Sequence, residues 1–510
     1  MAIAALAVAA RKLGIAYPIL FVIGGLVLGM IPGLPQVHLN PDLVFLIFLP
    51  PLIYPAALFT SWRDFRSNLR PITLLAIRLV LITTAAIALV THKLLGLPWA
   101  SAFVLGAIVS PPDAVAATAI TQRLRVPHRL VAIIEGESLV NDATAFVIYK
   151  FAVAAVVAGT FSLALAGLEF LYAVAAGILA GIFVGWLAAS VQQRLDDPPV
   201  QTTLSLMTPF AAYLTATQIG ASGVLAVVTA GLYLGRRAPE IISSRTRFQI
   251  QPVWEMVVFI LNGLIFILVG LQLPRILANL SGHSLWTLCW QAGVINLALI
   301  LVRIVWIFRA EHFPFLRHKP TTPPPNWRHT AIVAWTGIRG VDSMAAAMAL
   351  PLATNSNTPF PGRDLILFHT FTVILVTLVF QGLSLPFLIR CLGVVDDGAN
   401  KKEELRARLA AVQAALSHLN QFKGKSDGRI LLRLRTEFEN RMHDLQFQAT
   451  TDEQVPAAIK SPTYEQMLSE ALLAERSMVL QLRNEQIISD SVLRRIQRDL
   501  DLAELRLNRR

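Results

Sequence analysis

Apolar runs of about 20 residues recur from the N-terminus to about residue 390. Each is long enough to cross roughly 30 Å of hydrocarbon as a helix. Inside a bilayer every backbone N–H and C=O must be satisfied within the protein, so such runs lead to helices. Hydrophobic residues make up 55% of the 510-residue chain and charged residues 15%, unlike a soluble multidomain protein of this length. The reading is an all-α polytopic membrane protein embedded in the lipid bilayer. Thirteen hydrophobic segments are expected, at 1–10, 17–32, 41–60, 71–93, 98–121, 129–157, 161–191, 202–219, 221–235, 249–272, 285–308, 328–352 and 363–390. The first is too short for an ordinary span and reads as a short or truncated helix.

The basic residues test this division. Loops after odd-numbered segments hold 17 Lys/Arg, and loops after even-numbered segments hold 3. Cytoplasmic loops carry such an excess, so the N-terminus is expected outside and the C-terminus inside. The net charge of +12 belongs to this membrane part, because residues 396–510 hold 19 Lys/Arg against 18 Asp/Glu. Placed this way, the charge reports orientation and argues against nucleic acid as a partner. Two cysteines, Cys289 and Cys391, form neither a disulfide framework nor a metal-ligand spacing. The chain thus divides into a transmembrane domain, 1–395, and a tail, 396–510. The tail has leucines and alanines at helical spacing among mixed charges, as in "KKEELRARLAAVQAALSHLNQ". It is expected to be a cytoplasmic helical unit that packs on itself or on a neighbouring subunit.

Two segments break the helical pattern. In segment five, "VLGAIVSPPDAVAATAI", Pro111 and Pro112 lack N–H groups, so the carbonyls of Ala107 and Ile108 lose their helical donors. Free backbone groups at membrane depth must be buried in protein or line a wet cavity. Ser110 and Asp113 flank the break, and carbonyl, hydroxyl and carboxylate oxygens suit an alkali cation. The plainer reading is a proline kink with a structural Asp113. In segment twelve, "Gly337-Ile338-Arg339-Gly340" interrupts the helix and Asp342 follows. Arg339 is expected to hold the ends of a broken helix or to balance nearby carboxylates; the plainer reading pairs it with Asp342. With segment seven as a linker, these are the fifth segments of two six-helix halves. Interrupted helices at matching positions of inverted repeats mark the substrate site of many secondary transporters.

Segment six carries Glu135, Glu137, Asn141, Asp142 and Lys150. Positions four apart share a helix face, so Glu137 aligns with Asn141 and Ser138 with Asp142. Charged groups inside a membrane are rare and face the interior of the bundle. Part of the stripe is read as a structural ion pair, Glu137 with Arg303 of segment eleven. Asp142 is read as functional. Desolvation favours its neutral form, so it can hold a proton and release it to an arriving cation. Lys150 and Arg78 are expected to snorkel, His369 to be a satisfied packing residue, Glu255 to be interfacial and Glu169 peripheral. Glu135 has no assigned role.

The motifs resemble the monovalent cation:proton antiporters of sodium/proton exchanger (NhaP/NHE) type. "Gly136-Glu137-Ser138-Leu139-Val140-Asn141-Asp142" is similar to their G-E-S/A-x-x-N-D signature, "Ser110-Pro111-Pro112-Asp113-Ala114-Val115-Ala116" to their S-x-x-D-x-V-A crossing segment, "Gly337-Ile338-Arg339-Gly340" to their G-x-R-G, and "Phe48-Leu49-Pro50-Pro51-Leu52" to their F-x-P-P-L. All four stand in family order over about residues 15–390. The resemblance implies two inverted repeats with crossing discontinuous helices and a homodimer in the cell's inner (plasma) membrane. The cargo would be Na+ (or Li+, K+) exchanged for H+, with no other cofactor. Asp142 would bind cation and proton alternately, and Asp113 and Ser138 would add ligands. Asn141 would support the site; relatives with Asn there are typically electroneutral. Glu137 would be clamped by Arg303.

Three departures bear on cation choice rather than on the exchanger reading. Pro55 stands where many relatives have an acid, Pro112-Asp113-Ala114 replaces Thr-Asp-Pro, and Asp342 adds an acid near the crossing. Two other classes compete. An ion channel or sensor would use the same residues without coupled proton movement. An intramembrane hydrolase would need a Gly-x-Gly-Asp, Ser/His or His-Glu-x-x-His arrangement, which the sequence lacks.

Overall fold

A computed structural model describes residues 2–13, 17–31, 41–113, 117–118, 121, 124, 126–159, 163–280, 282, 284–312, 326–394, 396, 398–422, 428–451, 475, 477–479, 481, 485 and 496. They form α1 (Ala2–Leu13), α2 (Tyr17–Gly29), α3 (Pro41–Phe59), α4 (Leu69–Leu95), α5 (Trp99–Val109), α6 (His128–Ala158), α7 (Leu163–Gln192), α8 (Pro198–Gln218), α9 (Gly223–Ile241), α10 (Ser244–Asn279), α11 (Leu285–His312), α12 (Trp327–Trp335), α13 (Val341–Met348), α14 (Arg363–Leu392), α15 (Ala399–Leu419) and α16 (Gly428–Thr451). There is no strand among the described residues, only an isolated bridge between Ala353 and Pro359. The chain is an all-helical, polytopic membrane protein. Among the described residues, six helices are long and apolar enough to cross a bilayer, and shorter apolar helices accompany them.

Each expected hydrophobic segment coincides with a helix or a broken pair of helices. The helices often outrun the apolar stretch. α10 runs from Ser244 to Asn279, through Pro274 and beyond both ends of the expected 249–272. Hydropathy marks the part in hydrocarbon, whereas backbone hydrogen bonding carries the helix into the interface. α4 and α14 contain π turns at Leu74–Leu79 and Thr377–Gln381, a feature often found where a helix serves a site.

Packing divides the chain into two units, Met1–Asp397 and Gly398–Arg510. In the second, α15 packs on α16. Its exposed faces carry the i,i+4 pairs Glu404–Arg408 at 2.5 Å and Arg435–Glu439 at 2.7 Å, a solvated-helix pattern.

In the first unit, α2 lies along α10, and α3, α7, α8 and α9 form a second packed group. A third group joins α4, α5, α6 and α11. α12, α13 and α14 complete it, and one continuous apolar core runs from Phe21 and Ile265 to Met344 and Phe368. Gly25 and Gly270 let α2 and α10 meet backbone to backbone, since a Cβ on either would overlap the other helix's main chain. Arg78 and Lys150 lie exposed on the outside of the bundle, as snorkelling requires.

Candidate ion-binding site

The site is built where two helices stop. α5 ends at Val109 because Pro111 and Pro112 cannot donate. The Ala107 carbonyl, deprived of its helical donor, accepts from Ser110 Oγ at 3.2 Å. The Asp113 N–H, which an unbroken helix would give to Val109, goes across to the Ile338 carbonyl at 2.7 Å. Val109 O is taken instead by Arg339 Nε at 3.0 Å, and Ser110 O by Arg339 Nη2 at 3.3 Å. The two breaks therefore satisfy each other's backbone.

Arg339 is 1% exposed. Its Nη1 donates to Gly337 O, and its backbone N–H donates to Thr377 Oγ1 at 3.0 Å, in the π turn of α14. Its charge sits at the C-terminal end of α5, where the helix dipole favours a cation. The sequence left open a local Arg339–Asp342 pair; the guanidinium is given to carbonyls instead. Gly340 leaves the room that the Asp113 carboxylate occupies, since a Cβ there would overlap it. At Gly337 a Cβ would strike the side chains of Arg303 and Arg339.

On α6, Glu137 and Arg303 form a bidentate pair at 2.5 and 2.9 Å, each 1% exposed. Arg303 Nη2 also donates to Val333 O at 3.0 Å, so the pair ties α6 and α11 to the end of α12. One turn further on, Asn141 is fully buried and its Nδ2 donates to Pro112 O at 3.3 Å. Asp142 is 6% exposed. Asp342, Asp113 and Glu137 lie close enough for their charges to act on it. No basic side chain pairs with Asp142 among the described residues.

The structure thus brings Asp142, Asn141, Asp113, Pro111, Pro112 and Arg339 to one crossing, with Glu137 and Arg303 beside it. Ser138 is half-buried, one turn before Asp142 on α6. Residues 114–116 of the crossing motif lie outside the described residues. Asp142, Asp113 and Ser138 offer the oxygen ligands an alkali cation takes. One expectation is corrected: His369 is fully buried, yet neither ring nitrogen has a hydrogen-bond partner among the described residues. Helical spacing marks a residue as inward-facing but does not say whether a partner stands opposite. Glu255 is exposed and accepts from Gln251 at 2.9 Å. Sequence reasoning missed Thr377, which no motif marks.

The family profile described as "Sodium/hydrogen exchanger, transmembrane" matches residues 1–391. The chain belongs to the sodium/hydrogen exchanger family. It is 36% identical to an uncharacterized Na+/H+ exchanger of Mycobacterium tuberculosis, over 96% of this chain and 91% of that one. It is 32% identical to a sodium, potassium, lithium and rubidium/H+ antiporter of Bacillus subtilis, over 85% of this chain and 66% of that one. The solved sodium proton antiporter MjNhaP1 of Methanocaldococcus jannaschii shares the exchanger fold. It superposes with a TM-score of 0.59 at 17% identity, covering 77% of this chain and 96% of that one.

Proposed function

We propose that this exchanger is a secondary antiporter that trades Na+ for H+ across the cell membrane through Asp142. The observation that carries the reading is a buried carboxylate with no basic partner among the described residues, set at the crossing of two broken helices. The neighbouring Glu137 is already neutralised by Arg303, which leaves Asp142 as the acid to be neutralised by cargo. A proton and a cation cannot occupy that carboxylate together, so competition couples their movements. Asp113 and Ser138 add ligands, while Asn141 holds the broken end of α5 through Pro112. Asn141 is uncharged, which supports electroneutral exchange. The Bacillus subtilis relative's range of alkali cations supports Li+ and K+ as further cargo. The lysine and arginine asymmetry supports an outer N-terminus and a cytoplasmic 396–510 tail. The unit that works is a homodimer in the plasma membrane, and its role is pH homeostasis.

The test is cation-driven proton efflux from acid-loaded everted vesicles. Wild-type protein dequenches a pH dye on addition of Na+, and Asp142→Asn does not. Wild-type-like exchange in Asp142→Asn would overturn the mechanism. A rate that follows an imposed membrane potential would overturn electroneutrality.

A further inference from the structure

Between α3 and α4 the chain turns through a short helix, Trp62–Ser67, capped by Ser61 Oγ, which accepts from the Asp64 N–H at 3.3 Å. This helix packs on the end of α9 and on α6. α9 in turn ends against α3, since a Cβ on Gly235 would overlap the Leu58 carbonyl. The apolar runs of both segments stop here, and arginines follow each. Arg63 and Arg66 are three apart and share a face of the short helix. Arg236 and Arg237 stand in the last two turns of α9. All four are exposed. The Arg236 guanidinium lies 5.9 Å from the centre of the Trp62 ring, and that of Arg237 5.3 Å from the centre of the Tyr233 ring. An aromatic face attracts a cation without neutralising it, so these charges are held in place and stay available. The short helix and the end of α9 carry two carboxylates, Asp64 and Glu240, against the four arginines. Asp64 faces His128 Nε2 at 3.7 Å.

We propose that this surface binds the headgroup of an anionic phospholipid. Tryptophan and tyrosine favour the depth where hydrocarbon gives way to headgroups, so Trp62 and Tyr233 put the arginines at phosphate level. Guanidinium groups take phosphate oxygens in pairs, and every basic group at a membrane face adds to the attraction for acidic lipid. Phe59, the last residue of α3, is 49% exposed three residues before Trp62 and gives an acyl chain an apolar contact. That ring adds nothing for free inorganic phosphate, so the surface suits a lipid. Seated there, one headgroup touches α9 and the short helix together.

The test uses the full-length protein, delipidated in a neutral detergent. Phosphatidylglycerol, phosphatidylcholine of the same acyl chains, or inorganic phosphate is titrated in. Bound lipid is counted by native mass spectrometry, and the thermal unfolding midpoint is followed alongside. Phosphatidylglycerol is retained and raises the midpoint, whereas phosphatidylcholine and inorganic phosphate do neither. Arg236→Gln with Arg237→Gln weakens phosphatidylglycerol binding about 30-fold, the worth of two arginines at a membrane face. Arg408→Gln with Arg435→Gln, in the tail, leaves it unchanged. Equal retention of both lipids, or binding that survives the α9 double variant, overturns the site. A midpoint raised as much by inorganic phosphate overturns the lipid as its occupant. Arg66→Gln, on the separate short helix, weakens binding about fivefold and decides the matter if the α9 variant does not fold. Binding is read without transport, so the outcome is independent of the antiport reading.

Discussion

Glycines bring helices into backbone contact at two places in this exchanger, and the outcomes differ. Between α2 and α10, Gly25 and Gly270 meet within unbroken helices. Apart from the Gly270 carbonyl, whose helical donor Pro274 removes, the carbonyls there can be satisfied along their own helices, and the surrounding side chains are apolar, among them Phe21, Val22, Ile265 and Phe266. Close approach yields packing alone. At the crossing of α5 with α12 and α13, Gly337 and Gly340 also allow close approach, but both helices are interrupted. Their freed groups exchange partners, through Asp113 N to Ile338 O and Arg339 Nε to Val109 O. Charge collects around that exchange. Broken backbone, not tight packing, is what sets the proposed ion site apart.

Substituting the two kinds of glycine separates these roles most sharply. Gly340→Ala drives a methyl group into the Asp113 carboxylate. A displacement of this size at a reacting centre costs about 100-fold, so Na+-driven exchange by the folded protein falls by about that factor. Gly270→Ala presses on the main chain of α2 at Val22 and Leu26. It lowers the thermal unfolding midpoint, while exchange per folded molecule stays near wild type. Should Gly270→Ala silence exchange at an unchanged midpoint, the contrast fails.

The buried pair beside the crossing gives the next effect. Arg303→Ala strands Glu137 at 1% exposure, and breaking such a pair costs about 3–5 kcal/mol. Glu137→Gln combined with Arg303→Met removes both charges, so it recovers much of that loss. A thermal-shift comparison of single and double variants measures the difference. Equal losses in both would mean the pair is not what ties α6 to α11.

Much of this was legible in the sequence because the signals are composition-driven. Apolar length marks the spans, and Pro111-Pro112 and Gly337…Gly340 mark the breaks. The acids and bases mark the stripe on α6, and Arg303 stands out as a base of opposite charge to Glu137 in a largely apolar span. What could not be read is reciprocity. Nothing in the sequence says that the Asp113 N–H crosses to Ile338, because that depends on how two distant breaks meet. Thr377 was silent for the same reason, since a threonine in an apolar span looks like any helix-packing residue.

The finest distinction comes from a matched pair of single hydrogen bonds. Thr377 Oγ1 accepts the Arg339 backbone N–H at 3.0 Å, and Ser205 Oγ accepts Trp254 Nε1 at 3.1 Å. Both contacts are buried, and each couples two helices. Thr377→Val and Ser205→Ala each leave one buried donor unpaired, at a cost of about 1–3 kcal/mol. Their unfolding midpoints therefore drop by similar amounts. Only Thr377→Val loosens the residue that holds the ends of α5 and α12, so only it lowers the exchange rate per folded molecule, by a few-fold, and Thr377→Ser restores it. Ser205→Ala lies in the continuous helices around α8 and α10 and leaves the rate alone. If the two variants slowed exchange equally, stability in general rather than the broken backbone would govern transport.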